Sequence, residues 1–233
     1  NDGSSDSNVA TTSITVSSVN SAPALSNLNG DSVTFTEGGS AVLLDASGNA
    51  TVTDADSTDF SGGTLTASIV TNRVSGEDVL SLVNQGAGAG QIGLSGSNVT
   101  YGGTVIGTVA GGTGSSDLVV TFNANATPAA VQALVRDLTY ANSNSTDPTT
   151  SSRTVRITVS DGDGGTSSQA DITVQVTPVN DAPTLSATGA TPTFTVGGSA
   201  VDLFSGVSIG TVESGQTIPS LALTVSNLSD GAS

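Results

Sequence analysis

The sequence predicts an all-β protein built of tandem β-sandwich repeats, with one short helix in the complete repeat. Three observations support that reading. Short runs of β-branched and aliphatic residues alternate with polar ones at period two. Gly-rich and Asn-Gly punctuation separates these runs. Two stretches also recur at a long, nearly constant offset: "ITVSSVNSAP" from Ile14 is answered by "ITVQVTPVNDAP" from Ile172, and "FTEGGSAVLL" from Phe35 by "FTVGGSAVDL" from Phe194. A fixed long period marks an array of modules. The 233 residues then divide into the C-terminal tail of one repeat (1–22), a complete repeat (23–182) and the N-terminal part of a following repeat (183–233).

Within the complete repeat, "TLTASIV" places Leu65, Ala67 and Ile69 on one face. "RTVRITV" turns Val155, Ile157 and Val159 inward and Arg156 and Thr158 outward, and "ADITVQV" does the same with Ile172, Val174 and Val176. Such alternation marks strands with one buried face. Turns are expected at Asn29-Gly30, Gly38-Gly39, Gly62-Gly63, Gly102-Gly103 and Gly111-Gly112. "NQGAGAGQIG" from Asn84 has neither the Lys nor the following helix of a phosphate loop and is expected to be a loop between strands. One segment breaks the pattern. "TPAAVQALVRDL" offers Thr127 as N-cap, Pro128 at the first helical position, and Val131, Leu134 and Val135 at helical spacing, so a short helix is expected over 128–137. In the flanking units "SITVSSV" reads as the last strand of the preceding repeat. "PTFTV", "SAVDL", "VSIGTV" and "SLALTVS" read as opening strands of the following one.

Composition excludes several functions. Twenty acidic against four basic residues give a net charge of −16, which disfavours nucleic acid and anionic membranes and favours a cation as partner. Cys and His are absent, so disulfides, thiolate metal sites and the usual nucleophile–base pairs are excluded. Seven aromatics leave little to line a sugar cleft, and the chain is not expected to be an enzyme. Hydrophobic residues at 35% in ordered alternation argue against an acidic disordered tail. No apolar run reaches the ~18 residues of a membrane span. Neither an initiator Met nor a signal peptide is present, so the sequence reads as a piece of a longer protein. Sequons at Asn49, Asn98, Asn125, Asn144 and Asn227 are expected by chance in a chain this rich in Ser, Thr and Asn.

The acidic residues cluster near the repeated heptapeptides "SSVNSAP" and "TPVNDAP". Asn20 is followed 17 positions later by Glu37 and then by "TVTDADS", with Asp54 and Asp56; "VSDGDGG", with Asp161 and Asp163, precedes the final strand. In order and spacing this set resembles the bacterial cadherin-like tandem repeats of giant calcium-dependent surface adhesins. The resemblance implies cadherin-like or immunoglobulin-like β-sandwiches with Ca2+ at the junctions between them. Asp54, Asp56 and Asp161 would meet Asn20 and Ser21 at one end of the central repeat. Glu37 would face Asn180 and Asp181 at the other, and Glu213 stands in the third unit where the Asp pair is otherwise found. Departures are visible: Ser21 replaces a linker Asp, Val196 stands where Glu is expected, and no counterpart of the "LDRE" segment is found. The chemistry is reasonable without the family. Calcium takes six to eight oxygen ligands, and alternate Asp residues in "DAD" point to one side of an extended segment. Asp31, Asp147 and Asp163 read instead as turn formers.

Three function classes follow: a structural extender of a large extracellular adhesin on a bacterial cell surface, a directly adhesive module binding a copy of itself or a glycan, and a subunit of an extracellular filament or layer assembled by β-strand exchange. The extender is favoured. Its partners would be adjacent repeats of the same or neighbouring chains. In the filament alternative, residues 11–19 of one molecule would complete 183–233 of the next, head to tail.

Overall fold

The computed structural model describes residues 3–5, 8–17 and 19–226. Ser18, in the expected strand "SITVSSV", the sequon Asn227 and the rest of the third unit after 226 lie outside them. The fold is all-β with one short helix. Elements are numbered in chain order.

The largest sheet has eight strands in the order β2 (Ser32–Thr36), β13 (Ala170–Thr177), β12 (Arg153–Val159), β5 (Thr64–Thr71), β10 (Leu118–Phe122), β9 (Thr104–Ala110), β8 (Asn98–Tyr101) and β7 (Ile92–Ser95). All neighbours are antiparallel except β2 and β13, which run parallel. Opposite lie a three-stranded sheet, β3 (Val42–Leu43), β11 (Leu138–Asn142) and β6 (Asp78–Leu82), and a two-stranded one, β1 (Ala24–Ser26) with β4 (Thr51–Thr53). The alternation determines the buried face. Leu65, Ala67 and Ile69 on β5, Val155, Ile157 and Val159 on β12, and Ile172, Val174 and Val176 on β13 are all buried in one core. Phe35 on β2 meets Tyr140 on β11 edge to face, with centroids 5.9 Å apart, so the large and small sheets share that core.

The helix α1 (Pro128–Arg136) begins where its cap predicts. Thr127 is extended, its hydroxyl accepts from the Ala130 N–H at 3.3 Å, and Pro128 occupies the first turn. Ala130, Val131, Leu134 and Val135 are buried, and the helix packs against β4. The β8–β9 hairpin turns on Gly102 and Gly103, both with positive φ, as a two-residue loop that follows strand twist requires.

The flanking segments differ from expectation. Residues 13–17 form no strand: Ile14 and Val16 are more than four-fifths exposed, and among the described residues no strand pairs with their N–H and C=O groups. In the third unit β14 (Thr184–Gly189), which the pattern did not suggest, pairs with β15 (Phe204–Gly210), which overlaps the expected "VSIGTV". "PTFTV", "SAVDL" and "SLALTVS" form no strand. Alternation says which face a strand would bury, but a ladder also needs partners, and here Phe194, Val196, Leu221 and Leu223 stay exposed. Among the described residues no helix is long and apolar enough to cross a membrane.

Candidate functional site: two acidic junctions

Strand direction places the acidic residues at the two ends of the central repeat. β12 ends at Val159, opposite Leu65 at the start of β5, and the turn 160–165 lies beyond this pair. β1 and β4 pair with Ala24 opposite Thr53, which sets the linker 20–23 beside Asp54. At the other end the parallel pairing of β2 with β13 runs out at Thr36 and Thr177. Glu37 therefore leaves β2 just where the chain leaves β13.

At the first junction the Asn20 side-chain amide donates to Asp161 Oδ2 at 2.8 Å, and the Ser21 N–H donates to both carboxylate oxygens of Asp56 at 3.1 Å. Asp161 Oδ1 accepts from the N–H groups of Asp163 and Gly165, and Asp54 Oδ1 from those of Asp56 and Ser57. Asp54 Oδ2 is buried without a partner. Burial pushes the Asp54 carboxyl up, but the donors from Ser57 and Asp56 outweigh it and hold its pKa below the ordinary value. Burial likewise acts against ionised Asp161, as does the nearby Asp54 charge, yet Asn20, Asp163 and Gly165 hold it low. Two carboxylates that feel each other's charge are thus both kept ionised beside an unpartnered oxygen. Gly165 makes the approach of the linker feasible: a Cβ there would stand 2.2 Å from Asp161 Oδ2 and 2.7 Å from Ala22 Cα.

The second junction repeats this logic with Glu. Glu37 Oε2 accepts from the Val179 N–H at 2.7 Å, and Glu213 Oε1 from the Asp181 N–H at 2.5 Å. The other oxygen of each, Glu37 Oε1 and Glu213 Oε2, is buried and unpartnered. The Asn180 side chain accepts from Gln216 and donates to the Asp181 carbonyl. A cavity of about 670 Å³ opens here, lined by Asp147, Thr149, Asn180, Glu213 and Gln216.

The structure thus sets Asn20, Asp54, Asp56 and Asp161 around one linker, and Glu37, Asn180, Asp181 and Glu213 around the other. It does not gather three carboxylates at a point: among the described residues no group of three or more Asp or Glu forms a ready metal centre. The carboxylates of Asp54, Asp56, Asp161, Glu37 and Glu213 are held by linker or turn N–H groups instead. Among the described residues, three of the four buried side-chain atoms without a partner belong to this set, so the oxygens suit a hard cation bound with backbone and amide oxygens.

Two acidic residues read as turn formers do more than that. Asp147 Oδ2 accepts from the Ser214 N–H across the second junction at 3.0 Å, and Asp31 Oδ2 from the distant Ala46 N–H at 2.9 Å. Sequence reasoning also passed over a buried polar network. Arg153, fully buried, donates through Nε to Asp78 at 3.0 Å, contacts Glu77, and bonds the carbonyls of Thr149 and Ser151. The Tyr140 hydroxyl donates to the same Asp78 oxygen at 2.6 Å. Burial, and then that hydrogen bond, raise the Tyr140 pKa, so the hydroxyl stays a donor.

No protein-family model, curated protein or solved structure matches the chain.

Proposed function

We propose that the chain is a spacer from a large extracellular adhesin of cadherin-like type, a β-sandwich repeat with parts of its neighbours, whose junctions are stiffened by Ca2+. It has no catalytic role in this reading, and it belongs on a bacterial cell surface. The observation that supports it most is that each junction carries buried carboxylate oxygens without a partner: Asp54 keeps one at the first, beside the linker that Asp56 and Asp161 hold, and Glu37 and Glu213 keep one each at the second, where their other oxygens accept from linker N–H groups. A buried ionised oxygen without a partner is costly. A divalent cation would relieve that cost at Asp54, with Asp56, Asp161 and Asn20 as its further ligands, and at Glu37 and Glu213, with Asn180 and Asp181 as theirs. Calcium fits better than magnesium because mixed carboxylate, amide and carbonyl donors suit its flexible coordination.

The test is thermal melting and small-angle scattering of the chain in chelator, in millimolar calcium and in millimolar magnesium. Calcium at ~100 times its dissociation constant should stabilise by about 2.7 kcal/mol and lengthen the particle, with magnesium much weaker. Identical behaviour in all three solutions would refute the proposal.

One observation favours a second reading, assembly by strand exchange. Leu185, Phe204, Val207, Leu221 and Leu223 line an apolar cleft of about 220 Å³ in the third unit and stay exposed. Residues 11–19 of a neighbouring molecule match the strand that closes the central repeat. Sedimentation decides this: concentration-dependent oligomers abolished by deleting residues 1–19 support exchange, and a monomer at all concentrations rejects it.

A further inference from the structure

The third unit opens as the central repeat does. In β14–β15 Leu185 stands opposite Ile209 and Ser186 opposite Ser208, just as in β1–β4 Leu25 stands opposite Val52 and Ser26 opposite Thr51. Each first strand follows an Ala-Pro, at Ala22-Pro23 and at Ala182-Pro183. Followed onward in this register, the second strands set Thr211 in the place of Asp54, Glu213 in that of Asp56 and Ser214 in that of Ser57. The hydrogen bonds agree with the alignment. The Ser21 N–H donates to Asp56 at the first junction, and the Asp181 N–H, at the same place in its linker, donates to Glu213 at the second.

The two turns differ in one bond. In the central repeat the Ser57 N–H is spent within its own turn, on Asp54 Oδ1 at 2.8 Å. Thr211 has no carboxylate, and the matching Ser214 N–H donates instead to Asp147 Oδ2 at 3.0 Å, across the junction on the central repeat. Asp147 is held in place for this. The Asn144 side chain accepts from the Asp147 N–H at 3.2 Å and donates to its carbonyl at 2.7 Å. The same amide donates to Glu77 Oε1, and Glu77 also accepts from the Thr149 N–H at 3.0 Å and pairs with buried Arg153. The acceptor thus stands on a loop tied to the core of the central repeat. The donor follows Glu213, which is itself bonded to the linker.

We propose that Asp147 is a latch that fixes the third unit against the central repeat without a cation, and that residue 211 decides whether it closes. A carboxylate at that position, as at Asp54, takes the turn N–H for its own repeat; Thr211 leaves it for Asp147. The two junctions are then unlike: the turn at the first is closed on itself, and the turn at the second is held by a direct contact between repeats. A carboxylate accepting from a backbone N–H is a charge-assisted bond, and its hold on orientation does not rest on calcium at either junction.

The experiment uses the full chain in chelator, so that calcium plays no part. It reads amide hydrogen exchange at Ser214 and the distance between spin labels at Ser116→Cys in the central repeat and Ser199→Cys in the third unit, which label uniquely because the chain has no Cys. Asp147→Ala should speed exchange at Ser214 about 10-fold and broaden the distance distribution. Thr211→Asp leaves the central repeat untouched, so it tests the latch should Asp147→Ala disturb its own loop. In that variant Ser214 should stay protected, now by its own turn, while the distances broaden as in Asp147→Ala. The double variant should be no broader than either single one, since both changes open the same contact. If either single variant keeps the narrow distribution of the parent, or if exchange at Ser214 is unchanged in Asp147→Ala, the proposal is wrong.

Discussion

Asn20 and Asp161 are 141 positions apart, and the side-chain amide of the first donates to the carboxylate of the second at 2.8 Å. The bond fixes the linker on the turn that closes the central repeat, and this turn can accept it only because Gly165 has no side chain. Gly165→Ala would drive a methyl into Asp161 Oδ2 and the Ala22 backbone, neither of which is a free side-chain end. The linker would have to lift. Overpacking of this kind costs about 1–3 kcal/mol, and any calcium response of the first junction should fall with it. Melting curves of the variant, with and without calcium, check both.

The pH dependence separates two kinds of buried carboxylate. Asp54 and Asp161 have folded pKa values below the ordinary 3.8. The unfolded chain therefore binds their protons more readily, and their contribution is complete above that value and lost as pH falls through the folded values. Asp137 behaves oppositely: burial raises its carboxyl from 3.8 to about 6. Its contribution is full below about 4, is lost as pH rises towards 6, and is a net liability at neutrality. Asp161→Asn should therefore melt below the parent protein at neutral pH, with the gap closing in acid. Asp137→Asn, which keeps an oxygen for Gln85, should melt above it at neutral pH, by about 1–3 kcal/mol. Parallel denaturation series across pH 3–7, the ordinary titration range of carboxyl groups extended to neutrality, measure both signs.

The central repeat was legible in the sequence because its information is local. The period-two faces of β5, β12 and β13 and the Thr127-Pro128 cap each sit within a few residues of what they specify. The Asn20, Asp54, Asp56 and Asp161 grouping was what the resemblance carried by their ordered spacings implied, and a resemblance assigns residues to an end of the fold but not the oxygen geometry there. Asp147 was missed because a turn and a cross-junction acceptor look alike in sequence. In the third unit, alternation marked apolar faces at Phe194 and Leu221 but said nothing of partner strands, so it overstated the pairing. Arg153 did leave a signal: it lies two residues before Val155, on the same face, and a charge at an inward position implies a buried partner. That partner, Asp78, lies 75 positions away, where no local pattern points to it.

The Arg153 network yields a sharper stability prediction than either junction. Arg153→Met keeps most of the volume but leaves Asp78 charged in the core, with only Tyr140 and the Val74 N–H to hold it. Removing one member of a buried ion pair costs about 3–5 kcal/mol. Tyr140→Phe leaves the pair intact and should cost only about 1–2 kcal/mol, the loss of one hydrogen bond to a charged acceptor. Chemical denaturation of both variants tests the order. A smaller loss for Arg153→Met than for Tyr140→Phe would show that Asp78 does not depend on the guanidinium.

At the second junction, Glu37 and Glu213 both hold the same linker, one at Val179 and the other at Asp181. Each presents an unpartnered buried oxygen. Glu37→Gln and Glu213→Gln preserve size and leave a carbonyl oxygen able to accept from the linker N–H, while removing the charge. Without cation, either change should be neutral or mildly stabilising, since a buried neutral amide costs less than a buried carboxylate. With calcium, each should reduce the stabilisation, and the pair together should abolish the part that arises at this junction. Asp54→Asn should do the same at the first junction only. Calorimetric titration of the three variants separates the two sites. Loss of all calcium binding in a single Glu variant would instead mean one shared site, and unchanged binding in the double variant would place calcium away from the second junction.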